Sequence, residues 1–212
     1  MRVLLVTNDF PPRVGGIQNY LWNIYRGLGV DVRVLAPGFR GDAAFDRESG
    51  VDVVRWPRAV AWPSRALDKK IKELSRDADV VAFGAVLPMN LLATCVDKPV
   101  VVHTHGFEVA WARAPGMRQV LRRIGQAASV ITVVSDFTAR FIARAVGQPE
   151  KIHVLRTGVD LERFSPDVDA KAIRHRYDID ERPVVACISR LVARKGQDQI
   201  IKALPAVRAR VP

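Results

Sequence analysis

Arg2-Val-Leu-Leu-Val-Thr-Asn-Asp-Phe-Pro-Pro-Arg-Val-Gly-Gly-Ile-Gln18 is the stretch that decides the fold. Val3 to Val6 is an unbroken apolar run of strand length, the pattern of a strand buried on both faces of a parallel sheet. It stops at Asn8-Asp9, bends through Pro11-Pro12 and reaches Gly15-Gly16. Beyond the glycines, Ile17, Leu21, Ile24, Tyr25 and Leu28 recur at helical spacing. A strand that turns through glycine into a helix leaves backbone N–H groups at the helix N-terminus, where a phosphate binds well. The same stretch also reads as an ordinary strand-to-helix connection. Its spacing is neither the Gly-x-Gly-x-x-Gly of dinucleotide folds nor the Gly-x4-Gly-Lys of a P-loop.

Outward from this unit the pattern repeats. Val30 to Leu35 and Val51 to Trp56 read as strands, with a polar loop from Phe39 to Ser49 between them. A helix carrying Lys69, Lys70, Lys72 and Arg76 follows. Asp79 to Phe83 and Pro99 to His103 are two further buried strands, joined by a helix from Leu87 to Val96. Val130 to Val134 precedes Ser135, placed to cap a helix to about Val146, and Ile152 to Leu155 is the last strand of this half. Strands alternating with helices predict right-handed βαβ units and an α/β, doubly wound parallel sheet. Function in such a sheet gathers after the carboxyl ends of strands. That singles out Asn8 to Gly16, Thr104 to Glu108, Ser135 and Thr157 to Asp160.

Three segments follow: a first domain over 1–165, a charged linker over 166–182, and a restart over 183–212. The restart is a strand from Val184 to Ile188, the loop Ser189-Arg-Leu-Val-Ala-Arg-Lys-Gly, and a helix from about Gln197. One βα unit cannot bury its own apolar face, so the second domain is expected to be truncated here.

With 212 residues and 49% hydrophobic content the chain can bury a sizeable core. The first strand begins at once, which leaves no room for a signal or transit peptide. The apolar stretch from Val80 to Val96 is interrupted by Pro88 and Asn90 and is too short and broken to span a bilayer. Cys95 and Cys187 each sit in an apolar run and are expected to be buried free thiols. The net charge of +11 favours an anionic partner: nucleic acid, a phosphorylated small molecule or an anionic membrane surface. No recognised nucleic-acid-binding motif is present.

Three constellations carry chemistry. His103 and His105 are two apart on a strand and share a face, as two metal ligands would, but no third or fourth ligand accompanies them. His105, beside Gly106, is better read as a polar group aimed into a cleft, while His103 also suits a hydrogen-bonded core position. Arg190, Arg194 and Lys195 precede a helix N-terminus, an electrostatic cradle for a diphosphate. Trp56, Arg58 and Trp62, followed by Lys69 and Lys70, interleave aromatic rings with cations as a surface lying on anionic lipid does. A core-packed aromatic pair beside a solvated helix face is the alternative.

Taken together, Pro11-Pro-Arg-Val-Gly-Gly-Ile17, Thr104-His-Gly106, Gly158-Val-Asp-Leu-Glu-Arg-Phe164 and Ser189-Arg-Leu-Val-Ala-Arg-Lys-Gly-Gln197 resemble the retaining glycosyltransferases of family 4 over the whole chain. Within that family the chain looks most like actinobacterial mannosyltransferases acting on phosphatidylinositol monomannoside. The resemblance implies the two-domain GT-B fold, with the acceptor on the N-terminal Rossmann-like domain and GDP-mannose on the C-terminal one. It places Gly16 against the donor diphosphate, with Arg190 and Lys195 neutralising it, and His105 facing the transferred sugar. It places Asp9, Gln18 and Gly15 near the acceptor, with Asp9 and His105 as the catalytic pair. No metal or cofactor is required, and the acceptor is lipid-linked, reached by peripheral association with the cytoplasmic face of the cell membrane. The family's paired glutamates and its base-and-ribose pocket are absent from these residues, so this chain alone is not expected to catalyse transfer. Thr157 stands where many members have asparagine. Two alternatives stay open: a family 4 enzyme with another acceptor, and a non-catalytic domain that binds anionic membranes. The sequence leaves the oligomeric state open.

Overall fold

The computed structural model describes residues 1–179 and 181–210. Two compact units divide the chain, Met1–Val159 and Asp160–Pro212. Among the described residues the first unit is built on one sheet of seven strands: β1 (Arg2–Val6), β2 (Asp31–Pro37), β3 (Asp52–Trp56), β4 (Val80–Phe83), β5 (Val100–His103), β6 (Val130–Val133) and β7 (Ile152–Val154). Their order is β3-β2-β1-β4-β5-β6-β7 and every neighbouring pair is parallel. The chain steps outward from β1 in one direction and from β4 in the other. The loops after β1 and β4 therefore flank the switch point where doubly wound sheets open a crevice.

Alternation along the strands sorts side chains to two faces. Val3 and Leu5 point to a layer made by α1 (Gly16–Gly27) and α2 (Asp42–Ser49), against Tyr20, Leu21, Tyr25 and Phe45. Leu4 and Val6 point to the opposite layer, made by α3 (Arg65–Ser75), a 3-10 turn (Met89–Cys95), α4 (Glu108–Trp111), α5 (Pro115–Ala127) and α6 (Asp136–Val146). Period-two burial on both faces is what the apolar runs predict. Each fully buried leucine contributes roughly 2 kcal/mol, and Leu4 and Leu5 are among the largest fully buried side chains.

The helices start and stop for local reasons. Ser64 caps α3 by accepting from the Leu67 N–H at 3.2 Å, and Leu67, Ile71 and Leu74 then bury at i, i+4 and i+7. Ser135 caps α6 by accepting from the Thr138 N–H at 3.2 Å. α6 ends at Gly147, whose φ of 74° is left-handed and suits glycine.

Several sequence expectations need correction. The polar segment from Phe39 to Ser49 is not all loop, because 42–49 forms α2. Asp42 accepts from the Phe39 and Ala43 N–H groups at its start, and Phe45 supplies its one apolar anchor. A single anchor gives too little periodicity to read. The segment from Leu87 to Val96 yields only a 3-10 turn that begins after Pro88. The residues between β5 and β6 form α4 and α5, which the pattern left unassigned.

In the second unit, α7 (Lys171–Arg176) stands inside the expected linker and α8 (Gln197–Arg208) forms as expected. Val184 to Ile188 is exposed and makes no strand: a strand is held by its ladder, and none lies beside it among the described residues. Cys187 is accordingly exposed and Cys95 half-buried, against the expectation that both are buried. Asp180, Val211 and Pro212 lie outside the described residues.

Candidate active site

The site of the first unit is assembled after β1, β4 and β5. Thr7 anchors the first loop: its N–H donates to Leu35 at 3.0 Å, and its hydroxyl accepts from the Asp9 N–H at 2.9 Å. Asn8 holds the chain before Trp62, accepting from the Ala61 N–H at 2.8 Å. Gln18, buried on α1, donates to the Asp9 carboxylate at 2.8 Å. Asp9 and Gln18, expected near the acceptor, thus meet as a pair. Gly15 lies beside them, and a side chain added there would run into the Gln18 amide.

Gly16 behaves differently. It is the first residue of α1, and a Cβ built on it meets nothing within 4 Å. No side chain caps α1 and no acid stands in its first turn. The positive end of that helix is left for something outside the chain.

His105 follows β5. Its Nε2 lies 2.6 Å from the Gly84 carbonyl oxygen, an atom that only accepts, so Nε2 carries a proton and Nδ1 of the neutral ring is an acceptor. Tyr20 stands edge-on to the imidazole at 5.3 Å between ring centres. The His105 N–H donates to buried Glu108 at 3.2 Å, and burial pushes that carboxyl up from its ordinary range. His103, by contrast, is a core residue. Both ring nitrogens are taken, Nε2 with the Tyr25 hydroxyl and Nδ1 with the Thr132 hydroxyl, each at 2.7 Å. Burial, with a smaller contribution from His105, lowers its pKa to about 3. Among the described residues no group of three or more His, Cys, Asp or Glu side chains is placed to hold a metal ion.

Arg55 turns out to support this loop. Its guanidinium forms a two-pronged ion pair with Asp46 at 2.6 and 2.9 Å and donates to the Pro11 carbonyl at 2.8 Å, over the ring of Phe10. Phe10, Trp22 and Phe45 pack edge to face on one another. In the stretch read as a membrane surface, Arg58, Trp62 and Lys69 are exposed and Lys70 is paired with Glu73 at 2.7 Å. Trp56 closes β3 and packs half-buried against the core, which leaves Trp62 as the exposed ring of that pair.

In the second unit, Gln197 donates to the Ser189 hydroxyl at 2.6 Å and to the Arg190 carbonyl at 2.9 Å, folding the cationic loop back on the start of α8. Arg190 and Lys195 are exposed, and α8 begins at Gly196 without a side-chain cap. An exposed arginine and lysine at an uncapped helix start can neutralise a diphosphate.

Residues 14–163 match the model of Glycosyltransferase Family 4. The chain belongs to that family. It is 45% identical over 224 residues to the GDP-mannose-dependent alpha-(1-6)-phosphatidylinositol monomannoside mannosyltransferase of Mycobacterium tuberculosis, an alignment covering 99% of this chain and 58% of that protein. It is 39% identical to a GDP-mannose-dependent monoacylated alpha-(1-6)-phosphatidylinositol monomannoside mannosyltransferase of Corynebacterium glutamicum, covering 100% of this chain and 58% of that protein. The chain therefore spans little more than half the length of these curated relatives. Among solved structures, Anabaena Alr3699/HepE in complex with UDP superposes with a TM-score of 0.76 at 21% identity, over 96% of this chain and 57% of that one. A Rickettsia africae glycosyltransferase gives 0.66 at 16%, over 98% and 57%. At such identities the likeness concerns the fold, which is the α/β, GT-B type expected.

Four residues that hold these loops, Gly84, Tyr20, Arg55 and Asp46, were not picked out as candidate site residues from sequence. Gly84 was readable as a glycine directly after a buried strand. Tyr20 was readable as the residue four beyond Gly16, on the same helical face. Arg55 and Asp46 carried no such signal, since an arginine nine residues from an aspartate is commonplace on a solvated surface.

Proposed function

We propose that the chain is part of a retaining glycosyltransferase that moves mannose from GDP-mannose to a phosphatidylinositol mannoside at the cytoplasmic face of the membrane. The observation that carries this is the 45% identity along 99% of the chain to a mannosyltransferase of that donor and acceptor class. The first unit receives the acceptor near Asp9, Gly15 and Gln18, and the second holds the sugar nucleotide through Arg190 and Lys195. Gly16, with open space before it and an uncapped helix behind it, lies against the diphosphate. His105 uses Nδ1 to accept from a hydroxyl of the transferred sugar.

In the step itself the bond from the anomeric carbon to the diphosphate oxygen breaks, and the acceptor oxygen bonds that carbon from the same face. The acceptor proton passes to a phosphate oxygen of the departing GDP. Charge grows on the diphosphate, so fixed cations and helix N-termini supply the stabilisation. No metal and no carboxylate base are required.

Among the described residues no helix is long and apolar enough to cross a membrane. A lipid-linked acceptor is reached by peripheral contact, for which Arg58, Trp62 and Lys69 are exposed. Thermal shift tests the donor half. GDP-mannose or GDP should raise the melting temperature, and Arg190→Ala should abolish the rise. A rise that survives Arg190→Ala would overturn the role of that residue.

A further inference from the structure

The charge of the first unit is divided unequally between the two faces of its sheet. In the layer over Leu4 and Val6, α3 carries Arg65, Lys69, Lys70 and Lys72 against Asp68 and Glu73. In the same layer α5 carries Arg118, Arg122 and Arg123 with no acid, and α6 carries Arg140 and Arg144 against Asp136. The layer over Val3 and Leu5 has Arg26 on α1, and on α2 Arg47 against Asp42, Asp46 and Glu48. The helices of one layer, Glu108 of α4 included, thus sum to +5 and those of the other to −1. Within the basic layer the compensation is also uneven. Lys70 and Lys72 pair with Glu73 and Asp68, whereas no ion pair is formed by the arginines of α5 and α6 among the described residues.

The basic layer also exposes apolar rings. Phe137 and Phe141, one turn apart on α6, are 53% and 40% exposed with ring centres 4.5 Å apart, and the Arg113 guanidinium lies 5.6 Å from the Phe141 ring. Trp62, just before α3, is 67% exposed, and Leu91 in the 3-10 turn is 46% exposed. Exposed phenylalanines beside uncompensated arginines cost solubility without a partner. A partner of matching chemistry has negative charge at its surface and apolar material just beneath.

We propose that the α3–α5–α6 layer is the face this chain lays on an anionic lipid bilayer, with α5 and α6 as a second contact beyond the Trp62 region. Arg118, Arg122, Arg123, Arg140 and Arg144 meet the headgroups, and Phe137 and Phe141 enter the interface. The charge division orients the molecule, holding the acidic α1–α2 layer away from the bilayer. The inference rests on the acceptor's being membrane-held, but not on which nucleotide sugar is used, and thermal shift with GDP-mannose reports that separately.

The test is sedimentation of the 212-residue chain with phosphatidylcholine vesicles containing or lacking phosphatidylglycerol. Two double variants alter net charge equally but on opposite layers: Arg118→Glu with Arg123→Glu, and Arg40→Glu with Arg47→Glu. Circular dichroism confirms that each is folded. The α5 variant should lose at least about tenfold in binding to the anionic vesicles and the α2-side variant less than about twofold, because only charges near the surface feel its potential. Phe137→Ser with Phe141→Ser should weaken binding several-fold and make the remainder more salt-sensitive. Equal losses for the two double variants would mean that net charge, not this face, drives binding, and would overturn the proposal. Binding to single-stranded polynucleotide as tight as to vesicles, or no effect of the phenylalanine variant, would overturn it as well.

Discussion

The His105 imidazole donates from Nε2 to the Gly84 carbonyl oxygen at 2.6 Å, and Gly84 in turn donates its N–H to Val6 at 2.9 Å. One glycine therefore links the end of β1 to the histidine after β5. A methyl group at Gly84 would run into Thr7 and Leu21, and Thr7 is the residue that holds the Asp9 turn. Gly84→Ala should cost about 1–3 kcal/mol in urea unfolding, the usual cost of overpacking. It should also reduce stabilisation by GDP-mannose, whereas Gly116→Ala, which meets open space, should do neither.

His103 makes stability depend on acid in a defined direction. Its pKa is about 3 in the fold against an ordinary 6.5, so below 6.5 the unfolded chain binds the proton that the folded chain refuses. Stability from the neutral ring is complete above pH 6.5 and is lost as pH falls towards 3, by up to about 1.4 kcal/mol per pH unit. His103→Phe removes this dependence but strands the Tyr25 and Thr132 hydroxyls, each costing about 1–3 kcal/mol. Denaturant unfolding at several pH values should show the wild type ahead at pH 7, with its lead shrinking as the pH drops to about 5. A constant lead would mean that the ring titrates normally.

Arg55 should be irreplaceable by lysine. Its fork spans both Asp46 oxygens and the Pro11 carbonyl, with the two ion-pair side chains only 15% and 21% exposed. A lysine ammonium cannot reproduce that geometry. Arg55→Lys and Arg55→Ala should each lower stability by about 2–4 kcal/mol, since Asp46 is left largely desolvated. Loss under 1 kcal/mol by calorimetry would show that the first loop is held by its aromatic packing alone.

How far the sequence could be read follows from the range of the interactions. β1, β4, β5 and β6 were legible because strands buried on both faces leave unbroken apolar runs, and α6 because it opens on a capping serine. α2 was not, since one phenylalanine at position 45 makes no periodicity. Val184 to Ile188 was misread because an apolar run states a preference, while a strand needs a neighbour to pair with. Asp9, Gly16 and His105 fall within the loop segments singled out after strand ends, whereas Gln18, on α1, was named only through the family resemblance. The partners that hold them, Gly84 and Tyr20, become visible only when β4 and α1 are brought beside β5. Trp56 and Trp62 share one sequence motif, yet one ends a strand against the core and the other begins a loop in solvent.

Gly16 offers the most direct test of the account. A Cβ built at Gly16 meets nothing within 4 Å, so Gly16→Val should leave the unfolding free energy within about 0.5 kcal/mol of wild type. If a diphosphate lies against that glycine, the same side chain stands in its place. Calorimetric titration with GDP-mannose should then show affinity at least tenfold weaker for Gly16→Val, about 1.4 kcal/mol. Unchanged affinity in a folded Gly16→Val protein would contradict the donor site and the transferase reading built on it.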